Sequence, residues 1–216
     1  MTVHLIHGFN VSDGGRDTVR RWAPWFADVM VHDYGWTGLI GLRCTNAQAV
    51  KQIARHVKPG DTLIGHSNGA LICLQVARRT RPGAVVVVNP AMRRDARWPD
   101  KLPVLCLYSS SDWVVQLGRV WARGVDTVYG SVAPLLLESV ATGSGALFKS
   151  AFRFKPHGWG AAGRYGFTSN QPGVTSWDMA EDWWGEPVHS HSGAFKGRAG
   201  DYWGLLAAKW VRWISR

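Results

Sequence analysis

The run Asp61-Thr-Leu-Ile-Gly65-His66-Ser67-Asn68-Gly69-Ala70 constrains this chain more than any other stretch. Residues 63–66 read as a strand, and residues 69–77 are apolar nearly all round, as in a helix buried against a sheet. G-x-S-x-G joins the two with almost no loop between them. A turn this tight crowds the backbone around Ser67, so Gly65 and Gly69 remove side chains where neighbouring strands and helices would collide. The Ser67 hydroxyl is then presented at the C-terminal edge of a sheet. The unpaired N–H groups that open the following helix point at the same spot and can stabilise an oxyanion. The five-residue pattern also arises by chance in loops rich in Gly and Ser; the strand before it and the helix after it turn it into a chemical signal.

The same strand–turn–helix rhythm runs through the first two-thirds of the chain and argues for a parallel sheet with right-handed crossovers. Val3–His7 reads as the first strand. Residues 16–28 read as a helix with Trp22, Phe26 and Val29 at i, i+4 and i+7, kinked or started by Pro24. Val29–Tyr34 follows as a strand, and Asn46–Val57 as an amphipathic helix carrying Val50, Ile53, Ala54 and Val57 on one face and stopping at Pro59-Gly60. Ala84–Asn89 is a continuous β-branched run, the mark of a strand covered on both faces, and Val104–Tyr108 is another strand. Beyond Asp112 the pattern weakens. Helices are expected over Trp113–Arg123 and Ser131–Phe148, the second broken at Gly143-Ser144-Gly145. Residues about 155–195, rich in Gly, Trp, Ser and Pro, read as loops with one short strand. The chain closes in a helix over Asp201–Ile214, with Tyr202, Leu206, Trp210 and Trp213 on one face. With no repeat and no dividing linker, residues 1–216 read as a single domain with that irregular segment inside it.

Composition narrows the setting. At 46% hydrophobic and 19% charged the chain is globular rather than disordered. No apolar run approaches the ~20 residues that span a bilayer. Met1-Thr-Val-His-Leu-Ile-His lacks the basic start and long apolar core of a secretory signal, so a cytoplasmic protein is expected. Cys44, Cys73 and Cys106 suggest no disulfide framework and no nucleophile; Cys73 and Cys106 lie in apolar stretches as small core residues. The net charge of +10 invites an anionic partner such as nucleic acid, an envelope or an acidic substrate. The clusters Arg78-Arg79-Arg81 and Arg93-Arg94-Arg97 are too short to form a tail, and a solvated basic surface accounts for them. Nucleic acid is therefore not the expected partner.

A serine hydroxyl needs a base within hydrogen-bonding reach, and the base needs an orienting acid. Functional groups on an open parallel sheet collect at the C-terminal ends of its strands. Asp112 follows the strand Val104–Tyr108 and can reach the nucleophile, a role compatible with capping a helix that starts at Trp113. Of the eight histidines, His4, His7, His32, His56, His66 and His157 are poorly placed in order or element. The pair His189 and His191 lies in a loop before the last helix and gives the order Ser, acid, His. His191 is favoured because it sits nearer that helix, and His189 is its competitor. As a metal pair the two would need further ligands at suitable spacing, and none stands out. His7-Gly8-Phe9 follows the first strand, so the N–H groups of Phe9 and Asn68 are assigned as the oxyanion donors.

Taken in chain order, His7-Gly8 after an early strand, Gly65-His66-Ser67-Asn68-Gly69 at the elbow, Asp112 after a later strand and His191 before the final helix resemble the α/β-hydrolase family. The resemblance covers the whole chain and implies a mostly parallel sheet flanked by helices, with a triad of Ser67, Asp112 and His191 and no metal or other cofactor. The chain is short for that family. It looks like the compact lipase and cutinase-type members, without the first strands and without a large lid. The implied reaction is hydrolysis of a small-molecule or polymer-linked ester through an acyl-enzyme on Ser67. A thioesterase or amidase with the same residues, and a hydrolase-like binding module without catalysis, remain as alternatives.

Overall fold

The computed structural model describes residues 1–8, 13–34, 42–112, 114, 162–168, 171–181 and 186–216. Six strands build one sheet: β1 (Val3–Ile6), β2 (Val29–His32), β3 (Thr62–His66), β4 (Ala84–Val88), β5 (Val104–Tyr108) and β6 (Val174–Asp178). Their spatial order is β2-β1-β3-β4-β5-β6, and every pair is parallel. All five residues of β3 and all five of β4 are buried, which is why both read as unbroken apolar or β-branched runs. At the far edge no residue of β6 is buried, and Trp177 is exposed there.

Helices cover both faces of the sheet. α1 (Leu42–Ala54) and α2 (Asn68–Thr80) lie on one face and enclose a core of Ile6, Val50, Ile53, Leu63, Ile72 and Val87. On the other face, the 3-10 turn Val19–Trp25 and the terminal helix close over Leu5, Ile64, Val86 and Leu107. A short helix, α3 (Ala162–Tyr165), precedes β6, and α4 (Gly197–Ile214) ends the chain. The connection leaving β1 therefore runs over one face and the connection leaving β3 over the other. Adjacent strands whose connections diverge in this way open a crevice at their C-terminal ends. Gly8 and Ser67 stand at that crevice.

Three sequence expectations are corrected. Residues 16–28 do not form an α-helix: only Val19–Trp25 coil, as a 3-10 turn, and Val29 belongs to β2. Pro24, inside that turn, has no N–H to donate, and the backbone is already extended at Phe26. The helix expected over Asn46–Val57 runs from Leu42 to Ala54 instead. The terminal helix starts four residues before Asp201; Tyr202, Leu206 and Trp210 pack half-buried against the core, beside a more deeply buried stripe. Gly200, Trp203, Gly204, Ala207, Ala208 and Val211 are buried, whereas Trp213 is 69% exposed. Glycine is needed within that stripe where the helix presses close to its neighbours: a Cβ on Gly204 would lie 2.5 Å from Cδ1 of Trp25. The helices expected between Trp113 and Phe148, and the absence of a large lid, concern residues outside the described set. No helix among the described residues is long and apolar enough to cross a membrane.

Candidate active site

The elbow is tied down on every side. Ser67 has φ +53° and ψ −118°, a conformation that costs a residue with a side chain about 1–3 kcal/mol. Its N–H donates to Val88 O at 3.0 Å, and its carbonyl accepts from Ala70 and Ala91, both at 3.1 Å. Gly65 is required because a Cβ there would lie 2.6 Å from both Cys73 Sγ and Gly69 O. A Cβ on Gly69 would run into the carbonyls of Ile6 and His7. Although Ser67 stands at the N-cap of α2, its hydroxyl makes no capping bond and is left for other work.

At the C-terminal ends of the same strands Asp112 meets His191. Asp112 is fully buried, and its Oδ2 accepts from His191 Nδ1 at 2.7 Å. Its Oδ1 accepts the Val114 N–H at 3.0 Å, so one carboxylate both caps the following turn and orients an imidazole. A carboxylate only accepts, so the proton sits on His191 Nδ1 and Nε2 is left as the basic nitrogen. His189 goes elsewhere: its Nδ1 lies 3.3 Å from Ser111 Oγ in an exposed contact. The loop between them and α4 is held by its backbone. Val188 donates to Met179 O at 3.0 Å, Ser109 Oγ donates to Val188 O at 2.6 Å, and Trp22 Nε1 donates to Ala194 O at 3.0 Å.

The turn after β1 is fixed by polar groups that sequence reasoning missed. Tyr34 Oη donates to the carbonyls of His7 and Gly8 at 2.8 and 2.9 Å, and His7 Nδ1 also donates to Gly8 O at 2.8 Å. The two rings stack with centroids 4.2 Å apart. Burial raises the Tyr34 hydroxyl well above its usual range, so it stays a donor. Gly8 is required here as well, because a Cβ on it would lie 3.0 Å from Ser67 Cβ. Asn68, at the start of α2, exchanges two amide bonds with Asn46, at 2.9 and 3.0 Å, which immobilises the residue next to Ser67. Of the two assigned oxyanion donors, Asn68 is thus seated beside Ser67, and Phe9 lies outside the described residues.

His66 is the other feature that went unread. The ring is fully enclosed, with Nε2 on the His191 carbonyl at 3.0 Å and its face against Phe195, centroids 5.1 Å apart. Burial, together with the neighbouring His191, depresses its pKa to about 3, so it stays neutral. Its position inside G-x-S-x-G was visible; its partner, 125 residues away, was not. Among the described residues no group of three or more His, Cys, Asp or Glu side chains is arranged to hold a metal ion.

No protein-family model matches the chain, and no curated protein matches it. Solved structures of similar outline exist. A YdeN-like hydrolase from Pectobacterium atrosepticum is 16% identical over 99% of this chain and 91% of its own, with a TM-score of 0.49. A monoacylglycerol lipase from Paleococcus ferrophilus is 13% identical over 99% of this chain and 94% of its own, also at 0.49. An extracellular alpha/beta-hydrolase from a Paenibacillus species is 10% identical over 100% and 99%, at 0.48. The fold itself stands on the strand order and on the geometry of the elbow.

Proposed function

We propose that this protein is a serine hydrolase that cleaves carboxylic esters, with Ser67 as nucleophile, His191 as base and Asp112 as the acid that orients it. The observation that carries the proposal is the 2.7 Å bond between a buried carboxylate and His191 Nδ1, at the strand ends where Ser67 occupies a strained elbow. In this reading Ser67 Oγ attacks the ester carbonyl carbon while His191 Nε2 takes the hydroxyl proton. The negative charge that develops on the carbonyl oxygen is held by backbone N–H groups at the start of α2, Asn68 first, with Phe9 as the second donor. As the tetrahedral intermediate collapses, the bond to the alcohol oxygen breaks and the His191 imidazolium returns its proton to that oxygen. Water then attacks the acyl-enzyme, again giving its proton to His191. The acid leaves and Ser67 Oγ recovers its proton.

The substrate is a small-molecule or polymer-linked ester. Thioesters and amides pass through the same intermediate, so matched ester, thioester and amide substrates rank the leaving groups. The decisive test is turnover of p-nitrophenyl butyrate, together with fluorophosphonate labelling, by wild type and Ser67→Ala. Loss of labelling and a fall in kcat of about 10⁶ are expected. Equal rates in the two proteins reject the mechanism and leave a binding module as the function.

A further inference from the structure

We infer that His66 and Asn89 are positioning residues that clamp the His191 carbonyl and thereby set where the base stands. This inference rests on the proposed role of His191. It adds that the base is held by its main chain as well as by Asp112. His191 belongs to an irregular loop, residues 186–192, where no helix or strand fixes the backbone. Its carbonyl has two lone pairs, and both are used: His66 Nε2 donates at 3.0 Å and Asn89 Nδ2 at 2.8 Å. Both donors stand on rigid ground. His66 is the last residue of β3, and Asn89 follows β4 directly, with its N–H on Leu107 O at 2.8 Å. With the carbonyl direction fixed by these two and the ring fixed by Asp112, little freedom is left to the imidazole.

The choice of residues argues for more than packing. Asn89 has φ +41°, a region that glycine enters freely and asparagine tolerates. Glycine would satisfy that backbone but would bring no amide to the loop. Among the described residues Asn89 Oδ1 and His66 Nδ1 are both buried without a partner, a cost that apolar residues would avoid. His66 also has the right charge. A carbonyl only accepts, so the proton is on Nε2, and the ring stays neutral down to a pH of about 3 because it is buried. The two imidazoles lie with centroids 4.7 Å apart, so a cationic donor at position 66 would oppose the imidazolium that His191 must become. A neutral donor holds the loop without that penalty.

The test compares the full-length wild type with His66→Leu, His66→Gln and Asn89→Gly. One readout is kcat and KM on p-nitrophenyl butyrate. The other is the low-field proton resonance of the His191 Nδ1–H bonded to Asp112, identified by its loss in His191→Ala. His66→Leu and Asn89→Gly should each lower kcat about 10- to 100-fold while KM stays within about twofold, and should broaden or abolish the resonance. His66→Gln, which keeps a side-chain N–H donor, should recover most of both. If His66→Leu does not fold, Asn89→Gly decides, because glycine suits the backbone there. A sharp wild-type resonance in these variants overturns the clamp, whatever happens to kcat. If wild type hydrolyses no ester while the resonance responds as expected, the clamp stands and the hydrolase reading falls.

Discussion

Two aspartate–histidine pairs lie at opposite ends of this sheet, and only one fits the proposed chemistry. At the C-terminal end Asp112 holds His191 at 2.7 Å; at the N-terminal end Asp61 holds His4 Nε2 at 3.2 Å. His4 is a strand residue with no exposed surface, and its second nitrogen is taken by His32 Nε2 at 2.8 Å. Asp61 also accepts the N–H groups of Thr2 and Lys58, both at 2.8 Å, and so ties the chain start to the entry of β3. Every group in that cluster is spent on the fold. His191 lies in a loop, its side chain is 18% exposed, and its Nε2 makes no hydrogen bond among the described residues. A carboxylate beside an imidazole is therefore not by itself a catalytic sign. The far nitrogen must be open, and the ring must stand where the strand ends converge.

The sharpest way to break this contrast is to remove each histidine in turn. His191→Ala should lower kcat on p-nitrophenyl butyrate by about 10⁶, because a triad acts as a unit and losing its base costs nearly as much as losing all of it. His189→Ala should stay within about tenfold of wild type, since its ring contacts Ser111 and not Asp112. The reverse result would transfer the base to His189. Asp112→Asn probes the acid alone. An amide can donate to His191 Nδ1 and so favour the wrong tautomer, and a loss of about 10⁴ in kcat is expected, with the fold intact by circular dichroism.

The N-terminal pair should answer in stability rather than rate. Asp61→Ala strips two backbone N–H groups and a buried histidine of their acceptor, and should destabilise the protein by about 3 kcal/mol in urea unfolding. Its kcat/KM should stay within about twofold of wild type. A rate loss like that of Asp112→Asn, with unchanged stability, would mean that the two pairs are not divided in this way.

Legibility in the sequence followed the range of the interaction. β3, β4 and β5 were readable because buried parallel strands write themselves as short continuous apolar runs, and the elbow was readable because two glycines four residues apart carry it. β6 was expected only as one short strand in an irregular segment, since none of its five residues is buried and three are exposed. The turn at Val19–Trp25 was misread as a helix because aromatic spacing outweighed Pro24. In the terminal helix the Tyr202, Leu206 and Trp210 stripe was legible and packs half-buried against the core, but the more deeply buried neighbouring stripe, with Gly204 pressed on Trp22 and Trp25, was not. At the site, chain order suggested that Asp112 and His191 belong together, though only coordinates join residues 79 apart. The clamp by His66 and Asn89 and the amide pair of Asn46 with Asn68 left no local trace. A side chain that bonds a distant main-chain carbonyl has no spacing rule to announce it.

The smallest effect separates the two clusters by acid. Burial, and then the neighbouring His4 and His56, lowers the His32 pKa to about 4 from an ordinary value of 6.5. Unfolded chains take up a proton on this residue near pH 6.5, and the folded protein only near pH 4. Between those values unfolding is coupled to proton uptake, so stability is full above pH 6.5, falls as the pH drops through that window, and levels off below it. His66, depressed to about 3, acts in the same direction over a wider range. The share due to His32 should be about 1–2 kcal/mol, less than the whole shift implies, because part of the ring meets water and is screened. His32→Gln keeps an N–H for His4 Nδ1 but cannot titrate. Urea midpoints at pH 7.5 and pH 5 should therefore lie closer together in His32→Gln than in wild type. An equal drop in both proteins would assign the acid sensitivity to His66, and with it to the clamp on the proposed base rather than to the N-terminal pair.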